Sequence, residues 1–567
     1  MKPRASLLPP TAPLGPLDPR LAACTTTPAA PSLTAASTTP AGIHVDVPEI
    51  RHPDAETAAW WFRNGAAQAA ARGAMSGRAK NVILFLGDGM SLTTVAAARI
   101  FEGQRKGGSG EENLLRWEHF PATGFSKTYN TDSQTPDSAG TMSAIATGVK
   151  TRAGVLSIGQ DARRGSCSGA KASPMLTLWE LASASGMATG VVSTARVTHA
   201  TPGATFAHSA DRNWENDTEL PASAAAEGCI DIARQLVETP HATGFDVLMG
   251  GGRANFLPTS QRDPEYADKV GLRLDGRNLV AQWQQRHPGG RYVWNRQQLQ
   301  EAPTDAPLLG LFEPSHMQFE HDRPKDAAGE PSLTEMTLAA ITRLSRNPNG
   351  YVLLVEGGRI DHANHSGNAY RALSETVALS DAVRAAVDAT SAEDTLILVT
   401  ADHSHALNFV GYPMRGNPIL DKVRHEDDHG TPVLTLDGLG LPYTTLAYAN
   451  GPGYPGASSR QPAGPKRFPH AGRDYEASPG RPDLSTVDTT DPDYMQEAML
   501  PLSSETHGGE DVGIWAHGPG SHAVRGTLEQ NTIFHIFLQA TPRLRQTLCA
   551  RGLCDANGVP TALPKAK

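Results

Sequence analysis

The sequence lacks the features that mark several common functions. No stretch approaches the roughly 18 consecutive apolar residues of a membrane-spanning helix. The final residues, Lys565-Ala566-Lys567, show no hydrophobic tail of the kind that signals a glycolipid anchor. Basic excess is absent. Lys and Arg total 50 against 59 Asp and Glu, a net charge of −9, which argues against a nucleic-acid-binding module. There is no Walker A loop and no C-x-P-x-R signature. What the chain does have is apolar content: 39% of 567 residues is enough to bury a large sheet. One large α/β domain with insertions fits this as well as several average domains do.

Cysteines number five. Cys167, Cys229, Cys549 and Cys554 fall in the folded region and could form two disulfides, which predicts an oxidising compartment, periplasmic or extracellular. Cys24 is the odd one. Leu21-Ala22-Ala23-Cys24 reads as a bacterial lipobox, followed by a Thr/Pro/Ala-rich stretch suited to a tether. Upstream, prolines and Asp18 interrupt the apolar segment an export signal needs. A lipid anchor at Cys24 and a stray cysteine in a leader are both open, and residues 1–47 are expected to be leader and linker.

From about residue 54 to 76 an Ala-rich stretch with Trp60, Trp61 and Phe62 predicts a helix. Beyond it, apolar runs alternate with helical patterns. The runs are Asn81–Leu86, Gly190–Ser193, Asp246–Met249, Tyr351–Val355 and Thr395–Thr400; the helical stretches are 92–103, 138–146, 174–185, 221–238, 332–346 and 367–388. Buried strands alternating with helices predict an α/β fold with a large, mostly parallel central sheet covered by helices on both faces. Residues 411–504, rich in Gly and Pro, break the rhythm and are expected to form an insertion, with strand-like pieces at Pro432–Leu436 and Thr444–Tyr448. The domain layout is then 48–555 for the catalytic domain, 411–504 for the insertion within it and 556–567 for a tail.

In open parallel sheets ligands bind beyond the carboxyl ends of the strands. Three such ends carry acidic residues and imidazoles here. Asn81–Leu86 leads to Gly87-Asp88-Gly89, Tyr351–Val355 to Glu356 and the run Asp361-His362-Ala363-Asn364-His365, and Thr395–Thr400 to Asp402-His403-Ser404-His405. A single Asp after a strand is ordinarily a turn or cap residue. Several carboxylates at one edge repel one another unless cations lie between them. Asp361 and His365, four apart, share a helix face. With His507 from Glu505-Thr506-His507 they make an Asp-His-His set suited to a catalytic zinc. Asp88, Asp402 and His403 make a second mixed set. Glu356 and the hydroxyl of Thr201 suit a harder, oxygen-rich magnesium site. His425-Glu426-Asp427-Asp428-His429 matches H-E-x-x-H, but that pattern chelates zinc only from a helix, and its setting reads as a solvated loop.

The nucleophile candidate is Ser138, in Pro136-Asp137-Ser138-Ala139-Gly140-Thr141. The same motif is equally a routine helix start. No His base stands beside it in a triad pattern, so a nearby zinc is the expected activator. Arg212 is a candidate for clamping two phosphate oxygens, although by spacing alone a surface ion pair is as natural.

These stretches resemble alkaline phosphatases, of the animal-type branch more than the enteric-bacterial one, over roughly residues 54 to 555. The resemblance is carried by Phe85 to Met90, Ser126 to Asn130, Pro136 to Thr141, Glu356 to His365, Thr400 to His405 and Glu505 to Asp511. It implies that Ser138 becomes phosphoserine and that Arg212 binds phosphate. It implies a first zinc on Asp361, His365 and His507, and a second on Asp88, Asp402 and His403. Magnesium falls to Asp88, Thr201 and Glu356, with His199 and His362 near it. A calcium site is implied at Glu265, Phe312, Glu313 and Glu330, the last standing where an Asp is usual. The family's disulfide positions match Cys167–Cys229 and Cys549–Cys554. The insertion resembles the crown domain, and the region near Trp60 resembles the dimer-contacting arm.

Together these imply a homodimeric, broad-specificity hydrolase of phosphate monoesters acting by two in-line displacements, with two zinc ions, one magnesium and one calcium. A phosphodiesterase on the same scaffold would lean less on Arg212. A non-catalytic phosphate- or metal-binding protein is the alternative from another class.

Overall fold

The computed structural model describes residues 56–238 and 244–566. Leu21–Cys24 and the leader lie outside these residues. The described chain belongs to one compact unit beginning at Asp54.

Ten strands form the central sheet: β1 (Asn81–Gly87), β2 (Ala122–Lys127), β3 (Ala188–Arg196), β4 (Val247–Gly251), β5 (Arg291–Val293), β6 (Leu308–Leu311), β7 (Tyr351–Gly357), β8 (Thr395–Ala401), β9 (Val512–His517) and β10 (Gly526–Glu529). Their spatial order is β10-β2-β9-β8-β1-β7-β3-β4-β6-β5. Only β9 runs against its neighbours, β2 and β8. The sheet is thus mostly parallel, as expected. The five expected strands all form, each extended by one to several residues or shifted by one. β2, β5 and β10 carry no long apolar run, and the short buried run of β6 was not singled out.

Side chains alternate between two cores. Val82, Leu84 and Leu86 of β1 enter one apolar cluster, and Ile83 and Phe85 enter the other. Each fully buried side chain of this size contributes about 1.5–3 kcal/mol relative to exposure. That is why β1, covered on both faces, reads as a continuous apolar run.

Helix starts follow local caps. Ser91 accepts from Thr94 N–H at 3.0 Å to open Leu92–Arg105. Ser332 and Glu335 form a capping box before Leu333–Leu344. The expected single helix at 221–238 is instead two, Ala222–Ala226 and Ile232–Glu238. Gly228, at φ 86°, and the bridged Cys229 lie between them. The stretch 54–76 forms Ala58–Ala71 plus a short 3-10 turn. Its Phe62 meets Phe534 and His535 of the chain's own helix Thr532–Ala540.

Within 411–504 the described elements are short strands. Leu446–Gly451 pairs with Leu407–Phe409 on one side and Ala498–Pro501 on the other, so this small sheet begins just before the expected boundary. Pro432–Leu434 pairs with Arg424–Glu426. His425 therefore sits on a strand, and the H-E-x-x-H pattern has no helix to act from. The segment 556–566 folds back on the body: Lys565 bridges Met175 and Pro564 is buried.

Candidate active site

Register places the first acidic groups. Gly87 of β1 aligns with Gly357 of β7 and with Ala401 of β8. The residues that follow, Asp88 and Asp402, therefore emerge side by side, and Glu356, registered with Leu86, lies one step behind. The turn after Asp88 requires glycine. Gly89 has φ 65°, and a Cβ there would stand 2.3 Å from the His405 ring.

Asp137 caps the helix Ser138–Thr147, its carboxylate accepting from Gly140 N–H at 3.1 Å. Ser138, the first helical residue, is thereby fixed over the sheet edge, buried, with Oγ 3.1 Å from His403 Nε2 and 3.3 Å from Asp88 Oδ1. Thr141, one turn on, donates to Asp402 Oδ2 at 3.3 Å. Asp137 also receives Arg212 Nη1 at 3.1 Å. One residue thus starts the helix bearing the hydroxyl and aims the guanidinium beside it. Burial opposes the charge on Arg212, but Asp137 and Asp88 outweigh it and raise its pKa. Ser138, Arg212, His365 and His507 share a cavity of about 410 Å³.

Three groups of donors surround the hydroxyl. His403 Nε2 lies 3.3 Å from Asp88 and 3.4 Å from Asp402, while its Nδ1 faces the Ser404 carbonyl at 3.1 Å. That contact puts the ring proton on Nδ1 and leaves the Nε2 lone pair toward the carboxylates. In the second group, Asp361 Oδ1 is 3.4 Å from both His365 Nε2 and His507 Nε2. The Nδ1 atoms of these histidines face the carbonyls of Glu505 and Pro136 at 2.5 and 2.7 Å. In the third, Asp88 Oδ2 and His199 Nδ1 are buried without hydrogen-bond partners, and the buried Thr201 hydroxyl lies against the Glu356 carboxyl. Ligand atoms of Asp88, His199 and Glu356 lie within 4.8 Å of one another.

Electrostatics points the same way. Burial, reinforced by neighbouring carboxylates, pushes Asp402 and Glu356 up to about 7 and Asp88 well above its ordinary value. Asp361 is held well below it, against its burial, by the imidazoles of His365, His405 and His507. Orphaned buried polar atoms, crowded carboxylates and facing nitrogen lone pairs share one remedy, a bound cation. The donor chemistry fits: the nitrogen-rich Asp361 group and the mixed Asp88-Asp402-His403 group suit zinc, and the group with Glu356 and Thr201, richest in oxygen, suits magnesium.

His405, quoted in the strand-end motif, received no role from the sequence. Its Nε2 is 2.8 Å from Asp361 Oδ1 and its Nδ1 2.5 Å from Glu505 Oε2. Burial opposes its charge, yet the two carboxylates raise its pKa well above the ordinary value. Bridging the carboxylates of Asp361 and Glu505 through its two ring nitrogens, it positions Asp361, and it lies within the same group of potential ligands. The two-residue pairing of Ser404–His405 with His507–Gly508 brings this group together across about a hundred residues.

His199 accepts from Arg212 Nη2 at 3.1 Å, and His362 accepts from Arg359 Nη1 at the same distance. His316, not singled out by sequence, sets its ring centroid 4.0 Å from that of His362, the planes tilted by 56°. At the expected calcium position ligand atoms of Glu265, Glu313 and Asp326 lie within 4.8 Å of one another. Glu330, the ligand that the resemblance implied, shares one Gln318 N–H between its two oxygens at 3.1 Å, and burial, with Glu313 and Asp326 nearby, pushes it up to about 9. Phe312 is buried beside Glu313. Both expected disulfides form, Cys167–Cys229 and Cys549–Cys554.

Similarity to known proteins agrees with this geometry. A family model described as alkaline phosphatase matches residues 79–542. The chain is 43% identical over 470 residues to the tissue-nonspecific alkaline phosphatase of Gallus gallus, covering 82% of this chain and 84% of the relative. It is equally identical to an alkaline phosphatase of Gadus morhua, covering 92% of that protein. The crystal structure of Thermus thermophilus alkaline phosphatase superposes with a TM-score of 0.57 at 24% identity, spanning 84% of this chain and 96% of that one. Both of these relatives are animal enzymes, as the resemblance of the motifs implied. With the family model matched along most of its length, the chain belongs to the alkaline phosphatase family.

Proposed function

We propose that this enzyme hydrolyses phosphate monoesters through a phosphoserine at Ser138, with two zinc ions and one magnesium ion bound. Asp361, His365 and His507 would hold the first zinc, Asp88, Asp402 and His403 the second, and Asp88, Thr201 and Glu356 the magnesium. Bound there, the metals supply Lewis acidity that favours the serine alkoxide and a hydroxide nucleophile near neutral pH.

The chain's own groups set the reaction path. Asp137 fixes Ser138 at a helix N-terminus, where exposed N–H groups and the helix dipole favour an anionic phosphoryl group. Arg212 offers two N–H donors to the phosphoryl oxygens whose charge grows in the transition state. Ser138 Oγ attacks phosphorus and the alcohol departs; water then displaces the serine and phosphate leaves. A leaving group would lie toward the open cavity, which supports broad specificity.

The single observation that carries this reading is Ser138 Oγ within 3.3 Å of both Asp88 and His403. Purified protein should hydrolyse 4-nitrophenyl phosphate at alkaline pH in a zinc-dependent manner, and labelled phosphate should be trapped on Ser138 at acid pH. Absence of both results refutes it.

The same reading includes a calcium site at Glu265, Phe312, Glu313 and Glu330, with Asp326 beside them. It includes a homodimer, a crown-like role for 411–504, and export to the periplasm or exterior, which two disulfides favour. A lipid anchor at Cys24 is tested by mass determination of the mature N-terminus.

A further inference from the structure

A second cavity, of about 580 Å³, lies away from the phosphate cleft in the small-strand segment. Its walls include Val410, Tyr443, Ala447, Tyr448, Tyr454 and Met499. This size and apolar character match small-molecule sites. Three charged residues also line it: Asp437, Glu497 and Arg481. Arg481 donates to Asp437 Oδ2, and to Glu497 Oε2 at 2.7 Å. One guanidinium between two carboxylates leaves one negative charge uncompensated beside apolar walls. Asp437 is further satisfied by Leu439 and Leu441 N–H at 2.8 and 3.0 Å. Among the described residues Glu497 Oε1 accepts no hydrogen bond. The chemistry complementary to this surface is a flat apolar body with one positive charge, since phenol rings also attract cations over their faces.

The cavity connects to the phosphate cleft through one strand. Tyr448 N–H donates to the Glu497 carbonyl at 2.9 Å. The Tyr448 hydroxyl donates to Asn364 Oδ1 at 2.8 Å. Asn364 lies in the helix Arg359–His365, next to His365 and three residues after Asp361. On the same strand, Ala449 N–H donates to the Ala406 carbonyl at 3.0 Å, beside His405. Asn450 exchanges two hydrogen bonds with Thr506, at 3.0 and 2.9 Å, beside His507. Leu446–Gly451 thus touches the chain neighbours of every histidine around Asp361.

We propose that this cavity binds an aromatic organic cation and that its occupancy is read at the phosphate cleft through Tyr448 and Asn364. The coupling half rests on the phosphatase reading; the binding half does not. Coupling of this kind is reciprocal, so phosphate must change the affinity for the cation by the factor by which the cation changes the affinity for phosphate.

The test is calorimetric titration of the full-length, metal-loaded protein with benzyltrimethylammonium, benzyl alcohol and benzenesulfonate. The ammonium should bind at least ten-fold tighter than the alcohol, and the sulfonate should not bind. Glu497→Gln should weaken the ammonium about ten-fold and leave the alcohol unchanged. Saturating inorganic phosphate should shift the ammonium Kd at least two-fold, and Tyr448→Phe should abolish that shift while retaining ammonium binding. Equal affinity for the three probes, or indifference to Glu497→Gln, overturns the site. An ammonium Kd unmoved by phosphate overturns the coupling. Titration with phosphate alone separates that outcome from failure of the phosphate site itself.

Discussion

The Nε2 atoms of His365 and His507 face each other at 3.1 Å. Each ring spends its proton on a main-chain carbonyl, so neither has a hydrogen to place between them. Two lone pairs at this distance, beside an ionised Asp361, are stable together only around a cation. Stripping metal from the protein should therefore do more than stop turnover. Dialysis against a strong chelator should lower the midpoint of thermal unfolding, and zinc should restore it. A ligand at a hundred times its Kd stabilises by about 2.7 kcal/mol. His507→Ala should bind one zinc equivalent less by elemental analysis; full occupancy in that variant would contradict the assignment.

Ser138→Ala should abolish acid-trapped phosphoenzyme and lower kcat at least about 10³-fold, since removal of a nucleophile takes out the whole covalent route. Arg212→Ala should lower kcat/KM for a monoester about 10²-fold, the scale of one charge-assisted clamp. The same change should affect a diester much less, because a diester has one fewer free oxygen. A preference for diester, indifferent to Arg212, would assign the chain to diester hydrolysis instead.

Calcium binding should depend on Asp326. If Glu265, Glu313 and Asp326 form the site, Asp326→Asn should remove the rise in unfolding temperature that calcium produces. Glu330→Gln should keep most of it, because Glu330 is engaged by the Gln318 N–H. The reverse pattern would restore the ligand set that the motif alone implied.

Glu375, inside the helix Ala369–Ala389, is pushed up to about 8, chiefly by burial. Its folded pKa exceeds its unfolded one, so the folded state binds the extra proton between about pH 4.5 and 8. Stability from this group is fully present below pH 4.5 and is lost as pH rises toward 8. Glu375→Gln keeps an acceptor for Glu320 N–H and removes the titration. Urea unfolding at pH 5 and pH 8 should show the variant gaining on the wild type by a few kcal/mol, about 1.4 per pKa unit at most. Parallel behaviour of the two proteins would show that Glu375 ionises freely.

The Cys167–Cys229 bond spans 62 residues and enters the chain near the loop that presents Arg212. Gly165 N–H donates to the Ala210 carbonyl at 2.9 Å, and Arg164 pairs with Asp211. Replacing both cysteines by Ser should cost about 4 kcal/mol, the loop-closure scale for this length. It should also raise KM for a monoester through the slackened Arg212 loop. Loss of stability with KM unchanged would show that the bond braces the fold alone.

What the sequence determined by itself was the central architecture and most of the chemistry. The strands β1, β7 and β8 are buried on both faces, so they must be apolar throughout, and such runs are visible in one dimension. Polar residues that end them, Asp88, Glu356 and Asp402, stand out against that background. Motif resemblance supplied the roles of Ser138 and Arg212, which spacing left as a helix cap and an ion pair. Tertiary structure decided what depends on distant pairing. β2 and β10 lie at the sheet's margin and need no apolar run. His405 became a positioning group only when the Ser404–His405 and His507–Gly508 strands met and set it between Asp361 and Glu505. Asp326 joins Glu265 and Glu313 through loop geometry that the motif does not encode. The link from Tyr448 to Asn364 likewise joins residues 84 apart, and no local pattern encodes it.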